Sequence, residues 1–231
     1  MPRIQQGRAD QSVTGSVVVC SRVGARKYDN ILQFTGTCKV FLLTTIKTMD
    51  DNKKLLLYGQ ETERLKFRKL EKSDFDDWTA LFRVEGVERF FGQPGTLTPE
   101  EHTKNWFDRM DIRIENNLGG MNALEDKTTG KIIGQSGLLI QEVDGINELE
   151  VSYSILPQYW NKGYGREAAR KCRDYAFENN LTDSLISIVH PENIKSQKVA
   201  GHNGMQVAKE TTFKGMPAYI FRVRREDWLV G

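Results

Sequence analysis

Between residue 62 and the end of the chain the apolar positions change their period repeatedly, and each change predicts an element. In Thr62–Leu70, Leu65 and Phe67 alternate with charged residues, the period of two expected of a strand. Ser73 and Asp74 then suit the start of a helix through about Val84. Phe91–Gly95 reads as a turn. Thr98, Pro99 and Glu101 open a second helix as N-cap, first and third positions, and it should run to about Asn116. Strands are predicted near Gly120–Glu125 and Ile132–Ile140, turning through Asp126–Gly130, and again over Glu148–Leu156. Gly165–Asn179 is a helix with Ala168, Ala169, Cys172, Tyr175 and Ala176 on one face. A strand over Ser184–His190 and a helix over Asn193–Asn203 follow, with Gly204 as the C-terminal capping glycine. Gln206–Thr212 and Pro217–Arg224 close the chain as antiparallel strands around Lys214-Gly215. The order is β-α-α-β-β-β-α-β-α-β-β, an α/β (α+β) domain.

Residues 1–61 do not continue this pattern and read as an N-terminal extension to a domain over 62–231. Ser16–Cys20 and Val40–Ile46 could form isolated strands, and the stretch between them is rich in Ser, Gly and Arg. The basic, acid-poor composition resembles a transit peptide, but the amphipathic helical pattern is missing. Met49-Asp50-Asp51-Asn52-Lys53 resembles the start of a bacterial protein. Residues 1–48 therefore read either as a start-site artefact or as a loosely ordered tail.

Charge sharpens that division. Residues 1–48 carry seven Lys/Arg against Asp10 and Asp29, about +5, which leaves about −3 for the rest of a chain whose formal charge is +2. A mildly acidic domain argues against a nucleic-acid platform but not against amine substrates. Cys20, Cys38 and Cys172 are odd in number and widely spaced, which excludes a disulfide framework or zinc spacing and fits a reducing, cytoplasmic setting. No metal site is expected. No apolar run reaches membrane-spanning length.

The chemistry concentrates in Glu150–Ala169. It predicts a strand, a short turn and a helix. Gly163 and Gly165 remove the Cβ atoms that would keep an anion from the turn. The helix that follows offers unpaired N–H groups and a positive dipole end, which suits a phosphate or pyrophosphate. The nucleotide motifs do not fit: Gly-x-x-x-x-Gly-Lys-Ser/Thr is absent, and too little chain remains for a dinucleotide fold.

The run Glu150, Tyr153, Pro157, Tyr159, Trp160, Lys162, Gly163, Tyr164, Glu167, Ala168 resembles the pyrophosphate motif of the GNAT superfamily of acetyl-CoA-dependent N-acetyltransferases, nearest to the ribosomal-protein N-terminal (Rim) group. Asn161 replaces a usual glycine, and Gly165 a common alanine. Asn193-x-x-Ser196 followed by Gly204-Met205 is similar to the same group's second motif. The resemblance implies the GNAT fold: a mixed, mostly antiparallel sheet splayed at the cofactor site and flanked by helices. It also implies that Trp160, Asn161, Lys162, Gly163, Tyr164, Gly165 and Arg166 surround the pyrophosphate, and that free backbone groups at Ile155 and Leu156 pair with the pantetheine arm. Asn193 holds that arm or caps its helix.

Acyl transfer to an amine needs a proton acceptor and an oxyanion donor, and is helped by a proton for the leaving thiolate. Glu150 is the candidate base, its plainer alternative a solvated strand carboxylate beside Glu148. Many superfamily members carry a tyrosine acid seven residues after the asparagine, where this chain has Ala200. Ser196 is the remaining hydroxyl, as donor or water organiser, or else a residue of the helix surface. His190 and His202 read as structural, and His102 sits in the second helix without a partner in sequence. Glu85, Glu88, Glu100 and Glu101 would form an acidic rim for a cationic amine, or ordinary helix surface. The expected activity is direct acetyl transfer from acetyl-CoA to a peptide N-terminus or small amine, by a monomer or homodimer. The rival is a catalytically silent acyl-CoA-binding module that regulates a partner.

Overall fold

A computed structural model describes residues 55–93 and 95–230. The strands suggested at Ser16–Cys20 and Val40–Ile46 lie outside the described residues, as do Cys20 and Cys38. Among the described residues seven strands form one sheet in the order β1-β2-β3-β4-β5-β7-β6. They are β1 (Leu65–Arg68), β2 (Gly119–Asp126), β3 (Ile132–Val143), β4 (Ile146–Ile155), β5 (Ser184–Val189), β6 (Gln206–Phe213) and β7 (Met216–Arg224). All neighbours are antiparallel except β4 and β5. This is the mixed, mostly antiparallel sheet expected.

Helices cover both faces. α1 (Phe75–Phe82) and α2 (Pro99–Glu115) pack on one, where Trp78, Leu81, Trp106 and Met110 meet Met121, Ala123 and Leu139. α3 (Tyr164–Glu178) lies on the other. Its inner stripe of Ala168, Ala169, Cys172 and Ala176 is small, so the helix backbone approaches the sheet closely and meets Leu124, Leu138 and Val151. α4 (Ile194–His202) joins that layer, and a short α5 (Arg225–Leu229), absent from the sequence reading, follows β7.

Several ends follow from local chemistry. Thr98 and Glu101 form the expected reciprocal capping box at α2. Asn193 Oδ1 accepts from Ser196 N–H at 3.1 Å and caps α4. Gly204 (φ 77°) ends α4, and the Met205 N–H returns to Ala200 O at 3.1 Å, as in a Schellman closure. Asp144-Gly145 and Lys214-Gly215 both carry positive φ at two successive residues, which matches the twist of two-residue hairpins. The first of these lengthens β3 and β4 beyond the predicted Ile140 and Glu148.

Two local expectations are corrected. Ser73 and Asp74 do not cap α1 with their side chains. Asp74 is buried, and its carboxylate takes both Arg68 terminal nitrogens at 2.8 and 2.7 Å and the Glu71 N–H at 2.9 Å. Secondly, ordered structure begins before Thr62. Leu55 and Leu57 are core residues, Leu57 N–H donates to Asn122 Oδ1 at 3.0 Å, and Phe67 N–H donates to Gln60 O at 2.8 Å. Leu57→Ala should therefore cost about 2–5 kcal/mol of stability. Chemical denaturation checks this, and a change below about 0.5 kcal/mol would show that the segment adds nothing to the core.

Candidate active site

The site starts with a parting of strands. β4 and β5 pair only at Leu149–Leu185 and Glu150–Ile186, although both strands run on. Beyond Glu150 side chains replace the ladder. Ser187 Oγ donates to Val151 O at 2.7 Å, and the Ile188 N–H donates to the Glu150 carboxylate. On the other edge β4 stays paired with β3 through Ile155, and the next residue, Leu156, gives its N–H to Ile133 O at 2.9 Å. Antiparallel backbone groups alternate in direction, so Val151, Tyr153 and Ile155 turn theirs toward the gap.

The gap opens into a cavity of about 920 Å³ that contains most of the sequence-predicted residues. Glu150, Ile155, Trp160, Asn161, Gly163, Tyr164, Gly165, Arg166, Asn193 and Ser196 all line it. Two do not. Leu156 is fully buried with its N–H already committed to β3. Lys162 is exposed outside the cavity, its ammonium 5.5 Å from the Tyr159 ring centroid. Trp160 spends its indole N–H on Ile155 O at 2.6 Å, and its ring lies 4.1 Å below the Lys195 ammonium.

Gly163 stands at φ 81° as N-cap of α3 and offers no side-chain cap. The first helical bond is Glu167 N–H to Gly163 O, so the N–H groups of Tyr164, Gly165 and Arg166 precede the intrahelical ladder. They form the wall of the cavity at that end. A clamp holds the turn in place. Glu167 accepts from Thr62 Oγ1 at 2.5 Å, Arg64 N–H at 3.0 Å and Arg64 Nε at 2.6 Å. Arg64 also donates to Lys162 O at 2.9 Å and lies 4.2 Å over the Tyr164 ring. Burial pulls Glu167 upward, but the bonds from Thr62 and Arg64 outweigh it and hold its carboxyl below the ordinary value.

Glu150 is 6% exposed, so the solvated-carboxylate alternative fails. Gln141 Nε2 donates to it at 2.7 Å. Burial raises its pKa, against opposing contributions from Gln141, Arg113, Ile188 N–H and Lys214. A carboxyl in this state is a better proton acceptor near neutrality than an ordinary one.

Sequence reasoning missed Tyr153. Ala200 is buried in the core. The phenol of Tyr153, by contrast, faces the cavity and sits 2.9 Å from both the carbonyl and the hydroxyl of Ser196. Burial, first, and the nearby Glu150 raise its pKa, so it stays protonated at neutral pH. The signal available in sequence was the period of two: Tyr153 lies three residues after Glu150 in the motif and on the gap-facing register of β4. Gln141 was missed for lack of any motif.

The histidines divide. His190 lines the cavity, with its ring 5.5 Å from that of Phe90, and accepts from the Glu192 N–H at 3.2 Å. His202 bonds Lys198 O at 2.6 Å. His102, without a partner in sequence, is buried 2.9 Å from Gln93 Oε1 and stacked on Phe82, so it is a core residue. No acidic rim assembles either. Glu100 pairs with Arg83, Glu101 closes the α2 cap, and none of Glu85, Glu88, Glu100 and Glu101 lines the cavity. Cys172 is buried against Ser136 Oγ at 3.3 Å, and burial pushes its thiol up to about 12. Among the described residues no cluster of three His, Cys, Asp or Glu side chains suits a metal, and no helix is long and apolar enough to cross a membrane.

Comparison with known proteins puts this geometry in context. A family model described as an acetyltransferase (GNAT) domain matches residues 64–206. The Bacillus subtilis (strain 168) protein YkkB is 29% identical over 162 residues, covering 69% of this chain and 92% of its own. An acetyltransferase structure from Agrobacterium tumefaciens str. C58 superposes with a TM-score of 0.59 at 26% identity, covering 71% of this chain and 93% of its own. Mycobacterium smegmatis RimJ, solved with CoA-disulfide, shares the fold at a TM-score of 0.58 and 14% identity, over 71% of this chain and 83% of its own.

The buried carboxyl of Glu150 yields a signed prediction. Its raised pKa favours folding fully below the ordinary value of 4.5, and that contribution is lost as pH rises through the folded pKa. Glu150→Gln lacks this loss. Its melting temperature relative to the parent should climb from acid pH to pH 8 in scanning calorimetry; a difference constant across that range would contradict the raised pKa.

Proposed function

The chain belongs to the GNAT acetyltransferase family, and from that premise we propose that it moves an acetyl group from acetyl-CoA directly to a primary amine. The observation that carries this reading is the parted β4–β5 edge opening on the uncapped start of α3 in one continuous cavity. The residues fit the co-substrate. The gap-facing groups of Tyr153 and the N–H of Ile155 suit an amide-bearing arm that adds to a strand edge, the carbonyls of Val151 and Ile155 being held by Ser187 and Trp160. The N–H groups at Tyr164–Arg166, with Asn161 and the charge of Arg166, suit its pyrophosphate. Asn193 and Ser196 face the arm from α4. Lys162 lies outside the cavity and Leu156 is fully buried, so neither carries this reading.

Bound acetyl-CoA supplies an activated acyl carbon, and the chain supplies proton handling around it. Glu150 takes the proton of the incoming amine, directly or through water. The gap-facing N–H groups of β4 are placed to stabilise developing oxyanion charge. Tyr153, held on Ser196, keeps a proton ready for the departing sulfur, and Ser196 acts as its positioning residue. The enzymatic reading is favoured over a silent binding module because a buried carboxylate and a half-buried phenol both face the cavity, and a module that only binds would gain nothing from placing them there. The structural likeness to RimJ suggests a peptide N-terminus as acceptor, and a small amine is the alternative.

Thiol release from acetyl-CoA, followed with a panel of amines, tests the activity. Glu150→Gln should lower turnover by about 10² or more while sparing acetyl-CoA binding, with the loss shrinking as the amine deprotonates unaided at higher pH. Tyr153→Phe should cost less, on the order of tenfold, because a thiol is already a good leaving group. A pH–rate profile of the same shape in Glu150→Gln and parent would remove the base assignment. At Gly165 a Cβ would meet Ile155 and Val199 at 3.5 and 3.8 Å, ordinary contacts, so Gly165→Ala should fold, whereas Gly165→Leu should fill the cavity. Calorimetry showing parental cofactor affinity in a folded Gly165→Leu variant would displace the cofactor from this turn.

A further inference from the structure

The cavity continues past Glu150 into a chamber between α2 and the β6–β7 turn, and its charges have the wrong sign for a polycation. Arg109, Arg113 and Lys214 line it, together with Gln141 and the apolar Phe91, Trp106 and Phe213. Arg109 and Arg113 are one turn apart on α2 and so share a face. Lys214 reaches the same region from the β6–β7 turn. The three groups feel one another: Lys214 is lowered by burial and then by Arg109 and Arg113, and Arg113 by burial and, after an opposing pull from Glu150, by Arg109; Glu150 opposes the shift of Lys214 as well.

None of the three forms an ion pair among the described residues, although Arg64, Arg68, Arg83, Arg89, Arg173, Arg222 and Arg225 all do. Arg113 gives one terminal nitrogen to Leu118 O and Ile140 O, both at 2.7 Å, but its Nε is buried without a partner. Arg109 makes a single long bond of 3.3 Å to Phe91 O, and burial lowers its pKa. Two partly desolvated guanidinium groups side by side repel each other and leave donors unmet, and with Lys214 they set three cations against the single carboxylate of Glu150 at this end of the cavity. An anion seated between them would remove both costs. Glu150 is the carboxylate in this neighbourhood, and it is engaged by Gln141 and Ile188.

We propose that this chamber binds an acidic group of the acceptor, so that the substrate is an amine carrying a carboxylate a few bonds from its nitrogen, held by Arg109 and Lys214 with Arg113 behind them. This deepens the N-acetyltransferase reading and rests on it. The arrangement orients the acceptor: the carboxylate is drawn to the cations, and the amine is left toward Glu150. Polyamines are disfavoured, since each further ammonium would enter a positive field. The carboxylate has two sources, the α-carboxylate of a free amino acid or an acidic side chain near a peptide N-terminus.

The test uses the full chain with acetyl-CoA and matched acceptors: free amino acids against their amides, peptides beginning with acidic residues against the same peptides in amide form, and spermidine. Thiol release gives kcat/KM, and calorimetry on CoA-saturated protein gives acceptor binding. The carboxylate-bearing member of a pair should be favoured by on the order of tenfold or more, and the pair that shows it identifies the source. Arg109→Gln should collapse that preference without changing the KM for acetyl-CoA. Lys214→Gln, at an exposed turn, should weaken it in a variant whose folding is not at issue. Transfer to acids and amides alike, or preferentially to spermidine, would overturn the anion seat while leaving N-acetyl transfer intact. Selective, Arg109-dependent binding of the acid without transfer would support the seat and overturn the enzymatic reading. Neither binding nor transfer of the acid would overturn the seat.

Discussion

The molecule's central constraint is the separation of β4 from β5 after Glu150. Two parallel strands that begin as neighbours would ordinarily keep pairing, since each unmet backbone group inside a protein costs about 1–3 kcal/mol. Here two side chains take over the ladder's work at the point of departure. The hydroxyl of Ser187 satisfies Val151 O, and the carboxylate of Glu150 satisfies the Ile188 N–H. Past that point the outward groups of Tyr153 and the N–H of Ile155 face open space. The half of the sheet built from β1 to β4 and the half built from β5, β7 and β6 thus meet at one short hinge of paired residues, and the cavity exists because they part.

A wedge of this kind needs its far end fixed, and the Arg64–Glu167–Thr62 clamp does that. Glu167 stands in the first turn of α3, where a carboxylate is favoured by the dipole, and is anchored to the segment leading into β1. Arg64 pins the carbonyl of Lys162 from outside. This accounts for the direction of Lys162: the turn's carbonyl is drawn outward to Arg64, and its N–H groups are left facing the cavity. The small stripe on α3 completes the placement by bringing the helix start close to β4.

Much of this was legible in the chain because the signals are local. The glycine turn, the Thr98 capping box, the Asn193 cap and the period of two in β1 each depend on residues within a few positions of one another, and each stands where expected. What was not legible depends on partners far apart. Asp74 reads as a helix cap until Arg68 and the fold bury it. Tyr153 reads as one more strand aromatic until α4 brings Ser196 against it, 43 residues on. The acidic rim looked plausible from Glu85 to Glu101 because composition says nothing about which face of a helix meets the cavity. Arg109 and Arg113 occupy the inner face, a hundred residues from Lys214. Leu55 and Leu57 were set aside with the basic tail because the change in composition falls near Met49, whereas the core reaches back past Thr62.

Glu150 sits between two opposing influences, burial and a positive potential, and this tunes it. Burial raises its pKa, while Arg113 and Lys214 lower it. The net direction is upward, so desolvation wins over the cations. It follows from the proposed anion seat that an acceptor's carboxylate would neutralise part of the field of those cations. Their lowering of Glu150 would then weaken, and the carboxylate would become a stronger base as the amine arrives beside it. An acceptor without the acidic group would meet a weaker base and an uncompensated cationic wall. Selectivity and proton transfer would thus share one electrostatic origin, set by how far burial exceeds the pull of Arg113 and Lys214.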